Sequence, residues 1–209
     1  MKKIIPIVLA ILMNSWWIQA QNEEEGRYTA TLAAGVVFSQ IDGDEDGGFN
    51  KVSFNGGVRG GVRFGNAWEL CTEILFSQKG SYVIDFDKTY HLDYVEVPVL
   101  FYYKDWKARD ANNREYRRVM VGVGPYYARL INPRIRQYGV VLEPGDAGYV
   151  NVMPNEIGFA LDANVFITRQ IGINLRWSRS LTSIVDQPIR QGRGYVNNRT
   201  IVVRVLFRL

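Results

Sequence analysis

Residues 68–77 read Trp-Glu-Leu-Cys-Thr-Glu-Ile-Leu-Phe-Ser, and this alternation constrains the fold more than any other stretch of the chain. In an extended strand successive side chains point to opposite faces. Trp68, Leu70, Thr72, Ile74 and Phe76 therefore share one face, and Glu69, Cys71, Glu73 and Ser77 the other. A soluble sandwich buries the apolar face and shows the acids to water. A membrane barrel turns the apolar face to lipid and the acids into its lumen.

The same period recurs along the chain. Tyr28 to Ser39 places Tyr28, Leu32, Val36 and Phe38 on one face. Val52 to Phe64 sets Val52, Phe54, Val58, Val62 and Phe64 against Ser53, Asn55, Arg59 and Arg63. Further segments run over Thr89–Tyr103, Arg117–Leu130 and Asn155–Ile167, then from Ile171, and finally up to Leu209. This predicts eight strands, most of about 10 to 14 residues, whereas strands of globular sheets average about 5–6. Tilted membrane crossings need about 9–11. In the fourth segment Leu92 and Tyr94 have the parity opposite to Val95, Val97, Val99, Phe101 and Tyr103, and Pro98 lacks a ladder donor. A β-bulge near Tyr94 to Glu96 is expected to absorb both, leaving Glu96 inward.

The links alternate in length. Those at 65–67 and 168–170 are short, and those at 40–51, 131–153 and 182–198 are long and polar. Short periplasmic turns and long outer loops are the outer-membrane pattern. The charged link 104–116 is the misfit, being long at the end where links should be short.

The inward parity carries Arg59, Arg63, Arg118, Arg176, Arg204 and Arg208 against Glu69, Glu73, Glu96, Glu156 and Asp162. An eight-stranded barrel is just wide enough for side chains to fill, and charges buried there must be paired. A lumenal network of Arg/carboxylate pairs is expected. Tyr28, Phe64, Trp68, Tyr103 and Phe207 fall at one rim and Phe38, Phe54, Phe76 and Tyr127 at the other, as two interfacial girdles.

Residues 1–20 have the pattern of a secretory signal: Lys2 and Lys3, an apolar core from Ile4 to Leu12, and Ile18-Gln19-Ala20 at the cleavage site. Residues 21–209 are then the barrel domain. No apolar run of membrane-helix length follows the leader. Cys71 is the single cysteine, so no intramolecular disulfide is available. The near balance of 25 basic and 21 acidic residues carries no nucleic-acid footprint.

At this point the chain resembles a known family. GGVRGGVRFG (56–65), ELCTEILFSQKGSY (69–82), LDYVEVPVLFYY (92–103) and VGVGPYY (121–127) are similar to the small outer-membrane β-barrel proteins of Bacteroidetes, often called PorT-like or porin-family. The resemblance covers most of residues 28–209. It implies an eight-stranded outer-membrane barrel and little chemistry. One namesake takes part in type IX secretion, a role that no motif here assigns. The family ending is commonly aromatic, whereas this chain ends at Leu209 with Phe207 two residues before.

Three local motifs hold residue types that can carry chemistry. Asp42-Gly-Asp44-Glu-Asp46-Gly47 opens like a calcium loop, but Ser53 stands where the closing Glu belongs and no helices flank it. It reads better as a solvated acidic loop, so no metal and no cofactor is expected. His91, with Asp93 on the same side and Ser77 and Ser81 across the hairpin, is the only candidate for lipid-acyl hydrolysis, and spacing alone positions no nucleophile beside a base. Lys104, Lys107, Arg109, Arg114 and Arg117 form a basic segment able to dock an acidic partner or anionic headgroups.

The expectation is therefore an all-β, closed, antiparallel eight-stranded transmembrane barrel, an up-and-down meander in the bacterial outer membrane. Its lumenal charge network is Arg59, Arg63, Glu69, Glu73, Glu96, Arg118, Asp162, Arg176 and Arg204. Its candidate partner contacts are Lys104, Lys107, Arg109 and Arg114. The expected role is non-enzymatic, structural or interactive, with membrane lipid and an envelope protein as partners. The alternative is a narrow pore or small-ligand transporter.

Overall fold

A computed structural model describes residues 26–42, 48–185 and 196–209. The leader, and positions 43–47 of the acidic loop, lie outside the described residues. Among the described residues nine strands follow in order: β1 (Tyr28–Asp42), β2 (Lys51–Phe64), β3 (Trp68–Val83), β4 (Lys88–Arg109), β5 (Glu115–Gln137), β6 (Val140–Val141), β7 (Asn155–Phe166), β8 (Ile171–Ser180) and β9 (Asn197–Arg208).

Each long strand pairs antiparallel with its sequence neighbour, β7 taking the place beside β5 because β6 is only a two-residue flap. The ring is closed by β1 against β9, with Val36 opposite Val203. Closure leaves no sheet edge in the eight-stranded wall. At this seam the backbones approach closely at Gly35, where a Cβ would run into the Val203 carbonyl oxygen and the Arg204 Cα.

Sidedness follows the two-residue period. Val58, Leu161 and Val203 are 50%, 47% and 39% exposed, while their neighbours Arg59, Asp162 and Arg204 are 5%, 2% and 1%. A water-soluble barrel would show the opposite. Around the short-turn rim Trp68 stacks on Phe101 with ring centroids 5.0 Å apart and lies 5.0 Å from Tyr103. Exposed Tyr28, Phe64 and Phe207 accompany them. Phe54, Phe76 and Tyr127 stand exposed nearer the other rim.

The expected bulge exists, but its position and its cause differ. The β4–β5 register shifts between Asp93 and Tyr94, and the extra residue, Ile131, belongs to β5. β4 keeps one register against β3 throughout, Trp68 facing Tyr103 and Val83 facing Lys88. Tyr90, Leu92 and Tyr94 keep the inward parity of Glu96 and are buried. The apparent slip is a change of environment. Towards the loop end the wall becomes an ordinary soluble sheet, polar outside and greasy inside. Arg134 and Arg136 face out beyond the bulge while Ile135 turns in. Ile41, Val83, Tyr90, Leu92 and Ile135 share one buried cluster with Ile184, Val185 and Val196.

Two further expectations are corrected. Residues 104–116 are not a long link, because β4 runs to Arg109 and β5 starts at Glu115. The remaining turn is held by Asp110, which accepts from the amides of Asn112 and Arg114 at 2.9 Å each. Charge on both faces of the strand ends hid their alternation. The loops 131–153 and 182–198 are not simply polar either. Val152 bridges to Val185, the Met153 amide donates to Ile184 O, and the Ile184 amide donates to Val196 O. β5 itself runs to Gln137 and turns through Tyr138 (φ 51°) and Gly139 (φ 78°) into β6. Positive φ at both central residues is the hairpin geometry that matches strand twist, and glycine takes it without strain.

Candidate functional site

Directly opposed strand partners supply the elements of the lumen. Arg59 faces Glu73 across β2 and β3, Asp162 faces Arg176 across β7 and β8, and Asn174 faces Arg204 across β8 and β9. Barrel closure then brings these three sets together. Arg59 Nε lies 2.6 Å from Glu73 Oε1, and Arg176 Nε 2.7 Å from Asp162 Oδ2. Arg176 Nη2 also reaches across to Glu73 Oε1 at 2.9 Å. Arg204 spans the same two acids, 3.2 Å from Glu73 Oε2 and 3.5 Å from Asp162 Oδ2. Asn174 donates to Asp162 Oδ1 at 2.7 Å and accepts from Arg204 Nε at 2.7 Å. Arg59 donates to Asn164 Oδ1 at 3.3 Å, and Arg204 to Asn55 Oδ1 at 3.2 Å. All these side chains are buried.

A second layer sits towards the loop end. Lys79 Nζ lies 2.8 Å from Glu96 Oε2 and 3.0 Å from Glu156 Oε1. Tyr126 OH and Asn198 Nδ2 each donate to Glu156 at 2.6 Å. The Lys79 ammonium is 4.5 Å from the Tyr126 ring centroid and 5.2 Å from that of Tyr94. Above this layer lies the apolar cluster of Tyr90, Leu92 and Ile135.

A third layer lies towards the short turns. Glu69 accepts from Thr29 Oγ1 at 2.6 Å, and Lys104 Nζ and Arg63 Nε stand 3.3 Å and 3.8 Å from its other oxygen. Cys71 is buried here, its thiol 3.5 Å from Glu69 Oε1. Arg118 donates to the Phe166 carbonyl oxygen at 3.4 Å, and Arg208 lies 4.0 Å from the Phe166 ring centroid.

Sequence reasoning missed Lys79 and Lys104. Both signals were present, since Lys79 has the parity of Glu69 and Glu73 on β3, and Lys104 that of Leu100 and Tyr102 on β4. Its neighbours Lys107, Arg109 and Arg114 in the sequence group Lys104 with the surface cations instead. The structure corrects this, because Lys104 is buried against Glu69 and is not available to a partner. The other three proposed contacts are exposed and already have acidic neighbours. Lys107 and Arg109 lie 3.7 Å and 3.1 Å from Glu115, and Arg114 lies 3.0 Å from Asp110.

The remaining motifs fall as follows. Asp93 accepts from Gln78 at 3.0 Å and Asn132 at 2.9 Å and lies 3.6 Å from Arg134, which commits it to the β3–β5 wall rather than to orienting His91. Asp42, the described end of the acidic loop, lies 2.7 Å from Arg199 and 3.8 Å from Arg179. Among the described residues no group of three or more His, Cys, Asp or Glu is placed to hold a metal ion.

No curated protein matches the chain by sequence. Among solved structures it is similar to Ail, the attachment invasion locus protein of Yersinia pestis, at 12% identity and a TM-score of 0.50, over 88% of this chain and 100% of that one. It is similar also to neisserial surface protein A, at 10% identity and a TM-score of 0.50, over 86% of this chain and 97% of that one. At such identities the likeness concerns the fold alone. Residues 19–186 match the family described as outer membrane protein beta-barrel domain, and with its closed wall, apolar exterior and charged lumen the chain belongs to that family and resides in the bacterial outer membrane.

Proposed function

We propose that this protein is a closed barrel with a structural or protein-interaction role in the cell envelope, its lumen plugged by charged pairs. The observation that carries the reading is the bridging of the bore by Arg176 on β8 and Arg204 on β9 to Glu73 on β3. Salt-bridged side chains anchored on opposite walls support reading the bore as obstructed at that level. Planar-bilayer recording is the test. A plugged barrel gives no steady conductance, and a steady ohmic current would favour the narrow-pore alternative.

The interaction half of the proposal is supported by the outer tip. Ile84, Phe86, Tyr138, Val140 and Val141 are exposed there, and the Tyr138 amide donates to Asp87 O at 3.1 Å, joining the β3–β4 and β5–β6 turns. Outward Arg134 and Arg136 separate this patch from the apolar belt around the barrel. An apolar patch isolated from the bilayer by charge marks a contact surface for another molecule. The likeness of residues 69–82 and 92–103 to the PorT-like proteins supports assigning the chain to that group within this reading, and the pattern of residues 1–20 supports a leader ending at Ala20. Co-purification in mild detergent of one stable envelope protein, lost on Phe86→Ser with Tyr138→Ser, tests the interaction.

A further inference from the structure

A cavity of about 530 Å³ opens at the periplasmic end, between the β2–β3 turn and the β4–β5 hairpin. Four cations line it: Arg27 ahead of β1, Arg63 on β2, Lys107 on β4 and Arg117 on β5. Glu115 shares the wall, but its carboxylate is already engaged by Lys107 and Arg109.

The placement of these cations is unfavourable for folding alone. Lys107 and Arg117 are directly opposed in the β4–β5 ladder, where like charges destabilise a pair. Arg27 and Arg63 are likewise adjacent, joined by a backbone hydrogen bond of 2.9 Å. Two same-sign pairs thus converge on one cavity. Among the described residues neither Arg27 nor Arg117 has an ion-pair partner.

We propose that this cavity binds a run of carboxylates on an acidic peptide. Its size lies in the range of ligand pockets, about 300–1,000 Å³, and admits several side chains rather than one small anion. Guanidinium groups donate paired, planar hydrogen bonds to carboxylates, and three of the four cations are arginines. Its lining spans both faces of the wall: Arg63 and Tyr116 have the inward parity, and Lys107 and Arg117 the parity of outward Tyr103 and Val121. Arg63, on its wall, also faces Glu69 inside the barrel, and Tyr116 beside it is buried with its OH donating to Ile167 O at 3.2 Å. The sequence holds one acidic run of this chemistry itself, Glu23 to Glu25, shortly before Arg27. The inference rests on reading the protein as an interaction module, and it does not depend on the plugged lumen.

The test is fluorescence anisotropy with a labelled hexaglutamate peptide and the full chain in lipid nanodiscs. Saturable binding that weakens with rising NaCl is expected, because such contacts are screened. Combining Arg27→Glu, Lys107→Glu and Arg117→Glu should reduce affinity at least about tenfold, while Arg134→Glu at the outer end should not. Thermal melts of each variant establish that it is folded. Binding seen only, or more tightly, when Glu23, Glu24 and Glu25 are changed to Gln supports the site and identifies the chain's own run as a competing source. Equal competition by pyrophosphate would overturn the peptide assignment, as would failure of both the wild type and the Gln variant to bind. A conducting channel that still binds the peptide would sink the plugged-lumen reading and leave this one standing.

Discussion

Arg204 Nη1 lies 3.2 Å from Glu73 Oε2, although the two residues sit on β9 and β3, separated in the wall by β1 and β2. The contact crosses the lumen and is not a ladder pair. Glu73 also holds Arg59 and Arg176, so its carboxylate ties β2, β8 and β9 together. In a bilayer-spanning wall whose exterior gains little from lipid, such interior ties set the relative position of strands that share no backbone hydrogen bond.

Replacing Glu73 by Gln should therefore destabilise the barrel by about 3–5 kcal/mol, the cost of leaving buried cations without their partner. Thermal unfolding in detergent measures it. Pairing this change with Arg204→Met should cost less than the sum of the two single changes, by about 0.5–3 kcal/mol of coupling. Additive losses would mean that the cross-lumen bond contributes nothing.

Lipid sidedness predicts a position-dependent penalty on the outer wall. Leu161→Arg, pointing outward between inward Ala160 and Asp162, should cost about 2–4 kcal/mol if it lies near the bilayer centre. Arg substituted for Thr89, beyond the belt, should be nearly neutral. Reversible folding into lipid vesicles gives both values, and equal penalties at the two positions would contradict the placement of the belt.

Ring closure is sensitive at Gly35. A methyl group there meets the Val203 carbonyl oxygen and the Arg204 backbone, so Gly35→Ala must push β1 away from β9. Loss of amide-exchange protection should concentrate along Ala34–Phe38 and Ile201–Val205. Gly60→Ala is the control, because a Cβ there meets nothing within 4 Å.

The periplasmic turn should be acid-labile. The Arg114 backbone amide, helped by the Arg114 side chain and the Asn112 amide, holds the Asp110 carboxyl below its usual range. A carboxyl whose pKa is lowered by folding contributes stability above its unfolded pKa, about 3.9, and loses it as pH falls through the folded value. Protection factors at Asn112 and Arg114, taken against the intrinsic exchange rate at each pH, should fall below about pH 4 and remain flat from about pH 5 to 8. Asp110→Asn should remove that pH dependence.

Much of this was legible in one dimension. The alternation of Trp68 to Phe76 against Glu69 to Ser77 assigns each side chain to lipid or lumen, because side-chain direction along a strand is a local property of the backbone. Lys104 was misread for a related reason. It lies among charges at a strand end, where both faces are polar and the alternation carries no contrast. Leu92 and Tyr94 were misread because their strand leaves the bilayer, and the side that must be greasy changes with the solvent.

The amino-acid sequence by itself determined the strand period, the number of long strands, and the inward parity of Arg59, Glu73, Asp162, Arg176 and Arg204. Only the tertiary structure decided that Arg204 meets Glu73, that Lys79 is shared by Glu96 and Glu156, and that Arg27, Arg63, Lys107 and Arg117 line one cavity. Parity depends on adjacent residues, whereas a contact across a closed wall depends on how the strands are staggered around the ring, which no short stretch of sequence encodes.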